Sequence, residues 1–336
     1  MFSDKLIRVG GATALMALLD ERGVDFAALA IEAGLSAAVF ANSDNVVPCA
    51  ALCRLLHLAE ERTGLSDIGL RACVGSGIGS LGRIGYLAAN SATVERGLAA
   101  LQAHFHVHDQ GATPVVRRHD GTASFGYEIV EPSMPGAHQL SFGALAIGTN
   151  VLRALCGPDF RLLQVTFAFD RPRNLSLFRS FFGAPVSFGA VANAVDFDAR
   201  WLATPIATAD SYLYAVLADD VRRDADRTHE PAENRVLRVV RSLVAGGQFS
   251  ADAAADAFGV TRRTLARRLR DRGTSFRALL DDARHVEARR LLQSSSVSLS
   301  EIAARLGYAD TATFTRAFRR WCGTSPRRWQ AANRPF

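Results

Sequence analysis

Two stretches decide the fold: SADAAADAFGVTRRTLARRLRDRG (250–273) and SLSEIAARLGYADTATFTRAFRRWCG (298–323), the second repeating the design of the first. Aligning Gly259 with Gly307 pairs Ala255 with Ala303, Phe258 with Leu306 and Val260 with Tyr308. One extra residue in the second turn then pairs Leu265 with Phe314, Arg267 with Arg316 and Leu269 with Phe318. Ser250 and Ser298 stand where a helix needs an N-cap, and Ser298 with Glu301 makes a capping box. Gly259 and Gly307 can adopt the left-handed conformation that ends a helix, and Thr261 and Asp310 can cap the helix that follows. Two helices joined by a short turn containing glycine form a helix-turn-helix. The small Ala255 and Ala303 let the paired helices approach closely. Leu265 and Leu269, like Phe314 and Phe318, recur at i, i+4 and should face the core.

That leaves one face of each second helix exposed. In the first repeat it carries Arg262, Arg263, Arg267 and Arg270; in the second, Thr311, Thr315, Arg316 and Arg319. The chain as a whole carries +6, but the charge is divided unevenly. From Asn234 to Phe336 there are 20 arginines, no lysine and 8 acidic residues, a balance of +12. The preceding 233 residues hold 19 basic and 25 acidic residues, a balance of −6. Lys5 is the one lysine of the chain, so a preference for arginine can be compositional, but its clustering is not. A basic tail on an acidic body points to a polyanion as the partner of the tail. Ordinary solvated surface charge accounts for the arginines but not for the repeat, the caps, the paired glycines or the shortage of acids.

At 336 residues the chain is long enough for two cores. Its 49% hydrophobic, 21% charged and 8% aromatic content is that of a globular protein. No run approaches 18 uninterrupted apolar residues, and MFSDKLIRVGG has no apolar signal core, so a cytoplasmic protein with no membrane partner is expected. The run DDVRRDADRTHEPAE (219–233) separates the two charge regimes and reads as the end of a helix plus a linker. The expected domains are therefore 1–218, a linker 219–233, and 234–336. In the front part, Ala14, Leu15, Leu18 and Leu19 have helical spacing, and further helices are expected near 50–63, 93–105 and 138–155. Strands are expected near 113–118, 123–130 and 162–169, with Asp120-Gly121 as a hairpin turn. The fold class is thus an α+β front domain followed by an all-α domain with two helix-turn-helix units.

Over nearly its whole length, the tail resembles the DNA-binding domain of AraC/XylS-type regulators. The carrying segment is LSEIAARLGYADTATFTRAFRRWCGTSPRRW, closing on Gly323-Thr324-Ser325-Pro326. Ser325 and Pro326 suit the cap and first turn of a final helix. The resemblance implies a long helix joining the two units, which Phe276 to Gln293 fits, with Leu279, Leu280, Ala283, Ala288 and Leu291 as its packing face. It also implies that both second helices enter successive major-groove segments, about 34 Å apart on one side of double-stranded DNA. By position, the base-edge residues are then Arg262, Arg263 and Arg267 in the first unit and Thr311, Thr315 and Arg316 in the second. Arginine can grip guanine O6 and N7, and threonine can touch a thymine methyl. Arg268, Arg319, Arg320, Arg327 and Arg328 become phosphate contacts or helix-face ion pairs. Two departures mark the first unit: Ala266 stands where many relatives have a polar reader, and Ala254 is smaller than the usual core aliphatic.

The front part resembles, more loosely, the arabinose-binding-type domain of one branch of that family. The carrying stretches are DIGLRACVGSGIGSLGRIGYLAANSATVERGLAAL (67–101) and FRSFFGAPVSFGAVANAVDFDARWLATPIA (178–207). This implies a small-molecule effector, which need not be arabinose, a homodimer formed through the front domain, and a contact with RNA polymerase if the protein is an activator. No cofactor is expected.

Other constellations carry less. His104, His106 and His108 alternate, so on a strand they would share a face, as an exposed or pocket-lining edge rather than a metal site. His138, Gln139, Asn150 and Arg153 could line an effector pocket, or could serve as caps and surface groups. Phe178, Phe181, Phe182 and Phe188 read as core. The glycine run at 74–85 lacks the Gly-Lys-Ser/Thr ending of a phosphate loop. Cys49, Cys53, Cys73, Cys156 and Cys322 are scattered and odd in number, which suggests buried thiols and neither disulfides nor a zinc site. An enzyme fused to a DNA-binding tail would need an activated cysteine, and no motif supplies one. An architectural DNA or RNA binder would bind without regard to sequence.

Overall fold

The computed structural model describes residues 5–227, 249–257, 261–271, 273–293 and 298–332, with the single positions 240, 243, 244 and 247. The chain divides into two compact units, Met1–Thr228 and His229–Phe336.

In the front unit, β1 (Leu6–Arg8) leads into α1 (Leu15–Asp20) and α2 (Phe26–Glu32), the latter capped by the Asp25 carboxylate, which accepts from the Ala27 and Ala28 amides. β2 (Val46–Pro48) returns antiparallel to β1. Then follow α3 (Cys49–Thr63), α4 (Ile68–Cys73), α5 (Arg83–Ala89) and α6 (Val94–His104), the last capped by the Thr93 hydroxyl. β3 (Ala112–His119) and β4 (Thr122–Ile129) form the expected hairpin. Its turn residues Asp120 and Gly121 have φ of 43° and 82°, the pair of positive values that a tight two-residue hairpin requires. α7 (Ala137–Cys156), β5 (Leu162–Thr166), α8 (Ser176–Phe182), β6 (Val186–Ser187), β7 (Ala194–Asp198) and α9 (Ser211–Arg227) complete the unit.

The five strands β3 to β7 make one sheet in the order β3-β4-β7-β5-β6, antiparallel except for the β5–β6 pair. The sheet's middle strand, β7, was not among the expected strands. Its inward Val195 and Phe197 are fully buried, while Asp196 faces Ser124 across the β4 pairing.

The core centres on α7, whose 20 residues are buried on almost every side. It crosses α4 where glycine faces glycine: a side chain at Gly143 would stand 2.9 Å from the Gly69 carbonyl and 2.8 Å from the Cys73 thiol. That close approach leaves no room for a larger residue. The expected aromatic core is present, with the Phe142 ring 4.9 Å from Phe167 and 5.0 Å from Phe178 at near-perpendicular angles.

Several expectations change here. His104, His106 and His108 do not share a strand face, because His104 ends α6 and His106 lies in the 3-10 turn Phe105–Val107. A spacing of two suits a strand, but the apolar pattern of α6 runs on through Phe105, and the helix tightens instead of breaking. Among the described residues no group of three His, Cys, Asp or Glu side chains could hold a metal ion. Of the polar groups on α7, Asn150 donates to the Val74 and Ser76 carbonyls, Arg153 to the Phe181 carbonyl, and His138 meets Glu60 at 2.7 Å. These three tie segments together. Asp219 to Arg227, in the run read as the end of a helix plus a linker, are the end of α9, and residues 228–233 lie outside the described residues. The run at 74–85 folds into the 3-10 turn Ile78–Leu81 and the start of α5. No helix among the described residues is long and apolar enough to cross a membrane.

The elements described in the tail unit are all helices: α10 (Ala251–Ala257), α11 (Arg262–Arg270), α12 (Phe276–Gln293), α13 (Leu299–Arg305), α14 (Thr311–Cys322) and α15 (Pro326–Ala332). Gly259, with Phe258 and Val260, lies outside the described residues.

Candidate nucleic-acid interface

The local signals read from the repeat act as expected. The hydroxyls of Ser250, Thr261 and Ser298 accept from the amides of Ala253, Thr264 and Glu301, capping α10, α11 and α13. Of the capping box only this half forms among the bonds at Glu301, whose carboxylate instead meets Arg305 at 2.6 Å. The Asp310 carboxylate caps α14 by accepting from the Thr313 amide at 2.6 Å and its hydroxyl at 3.0 Å, and these bonds hold it below the usual carboxylate range. Gly307 sits at φ 71°, with the Phe249 ring where a side chain would go.

Each second helix buries one stripe and exposes the other. Leu265 and Leu269 are buried on α11, and Phe314, Ala317 and Phe318 on α14. α12 seats both units with Leu280, Ala283, Ala288, Leu291 and Leu292; Leu279 is half-buried. Aromatic rings thicken the second unit, where Phe318 lies 5.9 Å from Trp329 and 5.8 Å from Phe314.

The opposite face of α11 exposes Arg262, Arg263, Arg267, Arg268 and Arg270, with Ala266 among them. Arg262 stands 3.6 Å from Asp252, an exposed pair worth little. Arg263, Arg267 and Arg268 have no carboxylate partner among the described residues. On α14, Thr311 and Thr315 are half-exposed, and Arg316 and Arg319 are exposed. Arg316 donates to the Thr313 hydroxyl at 3.0 Å, so the N-cap carboxylate, the threonine and the guanidinium form one chain of hydrogen bonds. Arg320 differs from the other arginines of this helix: it is ion-paired at 2.5 Å with Asp281 of α12, which also accepts from the Trp321 indole.

Three features here escaped the sequence reading. Arg284 of α12 lies 4.9 Å from the centroids of both the Phe249 and Tyr308 rings, joining the residue before the first unit to the turn of the second. Arg277, also on α12, lines a groove of about 390 Å³ together with Thr313, Arg316 and Arg320. His285 stacks on Trp321 and meets the Cys322 thiol at 3.2 Å. None of these has a signature at fixed spacing, because each forms between residues more than twenty positions apart in the chain or on different helices.

Burial pushes the Cys73 and Cys156 thiols up to about 12, and Cys49 is raised by its hydrogen bond to Cys53 and by burial. A nucleophilic thiol needs the opposite shift.

Against known proteins, residues 23–206 match the family described as the arabinose-binding domain of AraC transcription regulator, N-term, and residues 254–332 match a helix-turn-helix domain family. The chain is 30% identical over 290 residues to the HTH-type transcriptional regulator VirS of Mycobacterium tuberculosis, spanning 86% of this chain and 85% of that protein. It is 26% identical over 335 residues to the ornithine utilization regulator of Pseudomonas aeruginosa, spanning 98% of each. The crystal structure of the transcriptional regulator CdpR from Pseudomonas aeruginosa covers 78% of this chain and 86% of its own at 25% identity, with a TM-score of 0.42.

Proposed function

We infer how this chain works from one premise: it belongs to the AraC-type transcriptional regulators. It binds DNA through its tail and carries a ligand-binding type of domain in front. On this reading α11 and α14 enter successive major-groove segments on one side of the duplex. Arg262, Arg263 and Arg267 read base edges from the first helix, and Thr311, Thr315 and Arg316 from the second. Arg268 and Arg319 fix the register on phosphates, and Arg277 adds a phosphate contact from the groove between α12 and α14. Arg320 serves by holding α14 to α12 through Asp281. Residues 1–218 sense a small-molecule effector and form a homodimer, 219–233 join the two parts, and 234–336 bind DNA. The protein works in the cytoplasm and, where it activates, touches RNA polymerase.

The observation that supports this reading is the pair of capped helices, each with one buried stripe, together with Arg263, Arg267 and Arg268 exposed on α11 without a carboxylate partner among the described residues. A basic face left bare on one element after its apolar side is satisfied is the electrostatic footprint of a nucleic-acid partner. The test is binding to a genomic fragment library at physiological salt, with wild type beside Arg263→Ala and Arg316→Ala. Recovery of two half-sites one helical turn apart, each variant altering different base positions, establishes the reading. Uniform, salt-sensitive binding with no shared motif overturns it.

A further inference from the structure

The groove of about 390 Å³ between α12 and α14 falls within the range that small-molecule sites occupy, about 300–1,000 Å³. Four arginines line it, Arg277 and Arg284 of α12 and Arg316 and Arg320 of α14, against one carboxylate, that of Asp281. The carboxylate is already committed, ion-paired with Arg320 at 2.5 Å and accepting from the Trp321 indole at 3.2 Å. Arg284 is held by the Phe249 and Tyr308 rings. Arg316 donates to the Thr313 hydroxyl at 3.0 Å, and Arg277 is exposed with no carboxylate partner among the described residues. Four guanidiniums against one carboxylate leave the lining an excess of three positive charges. The rest of the lining is uncharged: Leu280 and Ala317, both buried, and Tyr308 give it apolar surface.

That combination asks for an anion with a body. A guanidinium fork matches the oxygens of a carboxylate or of a phosphate. A carboxylate brings one negative charge, whereas a phosphate monoester brings nearly two and three strong acceptor oxygens. The excess of positive charge favours the phosphate. Inorganic phosphate alone would leave the apolar carbon bare and most of the volume empty. An aromatic body covers that carbon, because rings pack on tyrosine and on aliphatic side chains alike.

We propose that this groove binds a small aromatic phosphate monoester, of the nucleoside or aryl monophosphate class, with its phosphate on Arg277 and Arg316 and its ring against Leu280, Ala317 and Tyr308. The DNA backbone offers the same phosphate chemistry, so free ester and duplex compete for Arg277. The inference rests on the reading of α14 as a base-reading helix: an ester that occupies Arg316 takes a reader away. The tail then has an anionic inhibitor of its own, apart from anything the front unit senses. Linkage makes the effect mutual, and operator DNA weakens the ester by the factor by which the ester weakens the operator.

The test titrates the full chain calorimetrically, at constant ionic strength, with AMP, phenyl phosphate, inorganic phosphate and adenosine. Both esters should saturate a single site per chain, inorganic phosphate should bind about tenfold more weakly or worse, and adenosine should give no measurable heat. Arg277→Ala should weaken the esters roughly 10- to 100-fold, as loss of a charged hydrogen bond does. Arg268→Ala, on α11 and outside the groove, should leave them unchanged; both side chains are exposed, so folding is spared. Equal losses in the two variants, or equal affinity for AMP and inorganic phosphate, reduce the site to general attraction of anions by a basic surface and overturn the proposal. Absence of saturable binding by either ester also overturns it. If Arg277→Ala then weakens all DNA sequences alike, the groove serves the backbone alone and the reading of α14 stands. At a fragment recovered from the genomic library, AMP should weaken binding of wild type and not of Arg277→Ala. Ester binding with unchanged affinity for that fragment upholds the site and defeats Arg316 as a base contact.

Discussion

Arginine does opposite work in the two units. In the front unit several arginines are partnered: Arg71 grips the buried Asp67 through two bonds, Arg117 meets Glu128 across the hairpin, and Arg83 pairs with Asp220 and Asp224 of α9. Arg153 gives its donors to backbone carbonyls at the end of α8. In the tail, Arg263, Arg267 and Arg268 of α11 are exposed and have no carboxylate partner among the described residues. A partnered arginine fixes the shape of its own unit. A row of bare ones costs the fold some self-repulsion and contributes only when an anion arrives. The front unit therefore answers to perturbations of its core and of pH, and the tail to perturbations of its surface and of salt.

The largest expected effect comes from the front core. Phe142→Ala, at a fully buried ring contacting three other phenylalanines, should cost about 3–5 kcal/mol in the front unit's urea transition. An equal loss in the tail's transition would break the comparison, since it would make the two units one cooperative body.

A pH effect follows, from adjacent residues with opposite slopes. Burial lowers the His108 pKa to about 3, so protons favour the unfolded chain and stability is lost as pH falls from about 6.5 toward 3. Burial raises Asp109 to about 6, so the native state holds the extra proton and stability is lost as pH rises from about 4 through 6. Between 4 and 6 the two oppose each other. His108→Gln removes the first slope, and its stability should then climb as pH drops from 6 to 4, where wild type stays flatter. Chemical denaturation at several pH values checks this, and a variant that keeps the wild-type profile defeats it.

In the tail, Arg316→Ala should lose about 1–3 kcal/mol of specific binding and relax preference at single base positions, with little change in folding stability. Thr313→Val, which removes the hydroxyl orienting Arg316, should lose a smaller part of the same term. If both variants instead weaken all sequences equally, Arg316 is a phosphate contact and the chain of bonds from Asp310 has no role in reading bases. The smallest effect is expected at Arg268→Ala, where the slope of log affinity against log salt should fall by about one with sequence preference intact. A change in preference there would move Arg268 from grip to readout.

The tail was legible in sequence because its rules are local. Ser250, Thr261, Ser298 and Asp310 cap helices that begin within a residue of them, and Gly307 stops one. The front was legible where structure is also local: α3, α6, α7 and the Asp120-Gly121 hairpin. β7 escaped because AVDFD is five residues whose partners, β4 and β5, lie about thirty to seventy positions away, and pairing across that distance leaves little local signature. The histidines misled for the converse reason, since a spacing of two is a strand rule that a tightening helix end can satisfy by chance. Arg277 and Arg284 become visible only once separate elements are brought together. The exposed face could be marked early because periodicity defines it, and the resemblance to the regulator family then assigned base contacts on it, while the groups that orient them could not be named.

The stack of Phe249, Arg284 and Tyr308 makes the tail a measuring instrument. A guanidinium held between two rings, with one ring filling the hollow at Gly307, ties the approach to the first unit to the turn of the second. The interval between the reading heads is then a property of the protein and not of the DNA. One base pair added between half-sites would rotate the second by about 35° and carry it about 3.4 Å along the axis. A hinged pair of heads would absorb that by swinging; a fixed gauge must either twist the duplex or release one site. Operators for this protein should therefore be conserved in their spacing even where their letters drift.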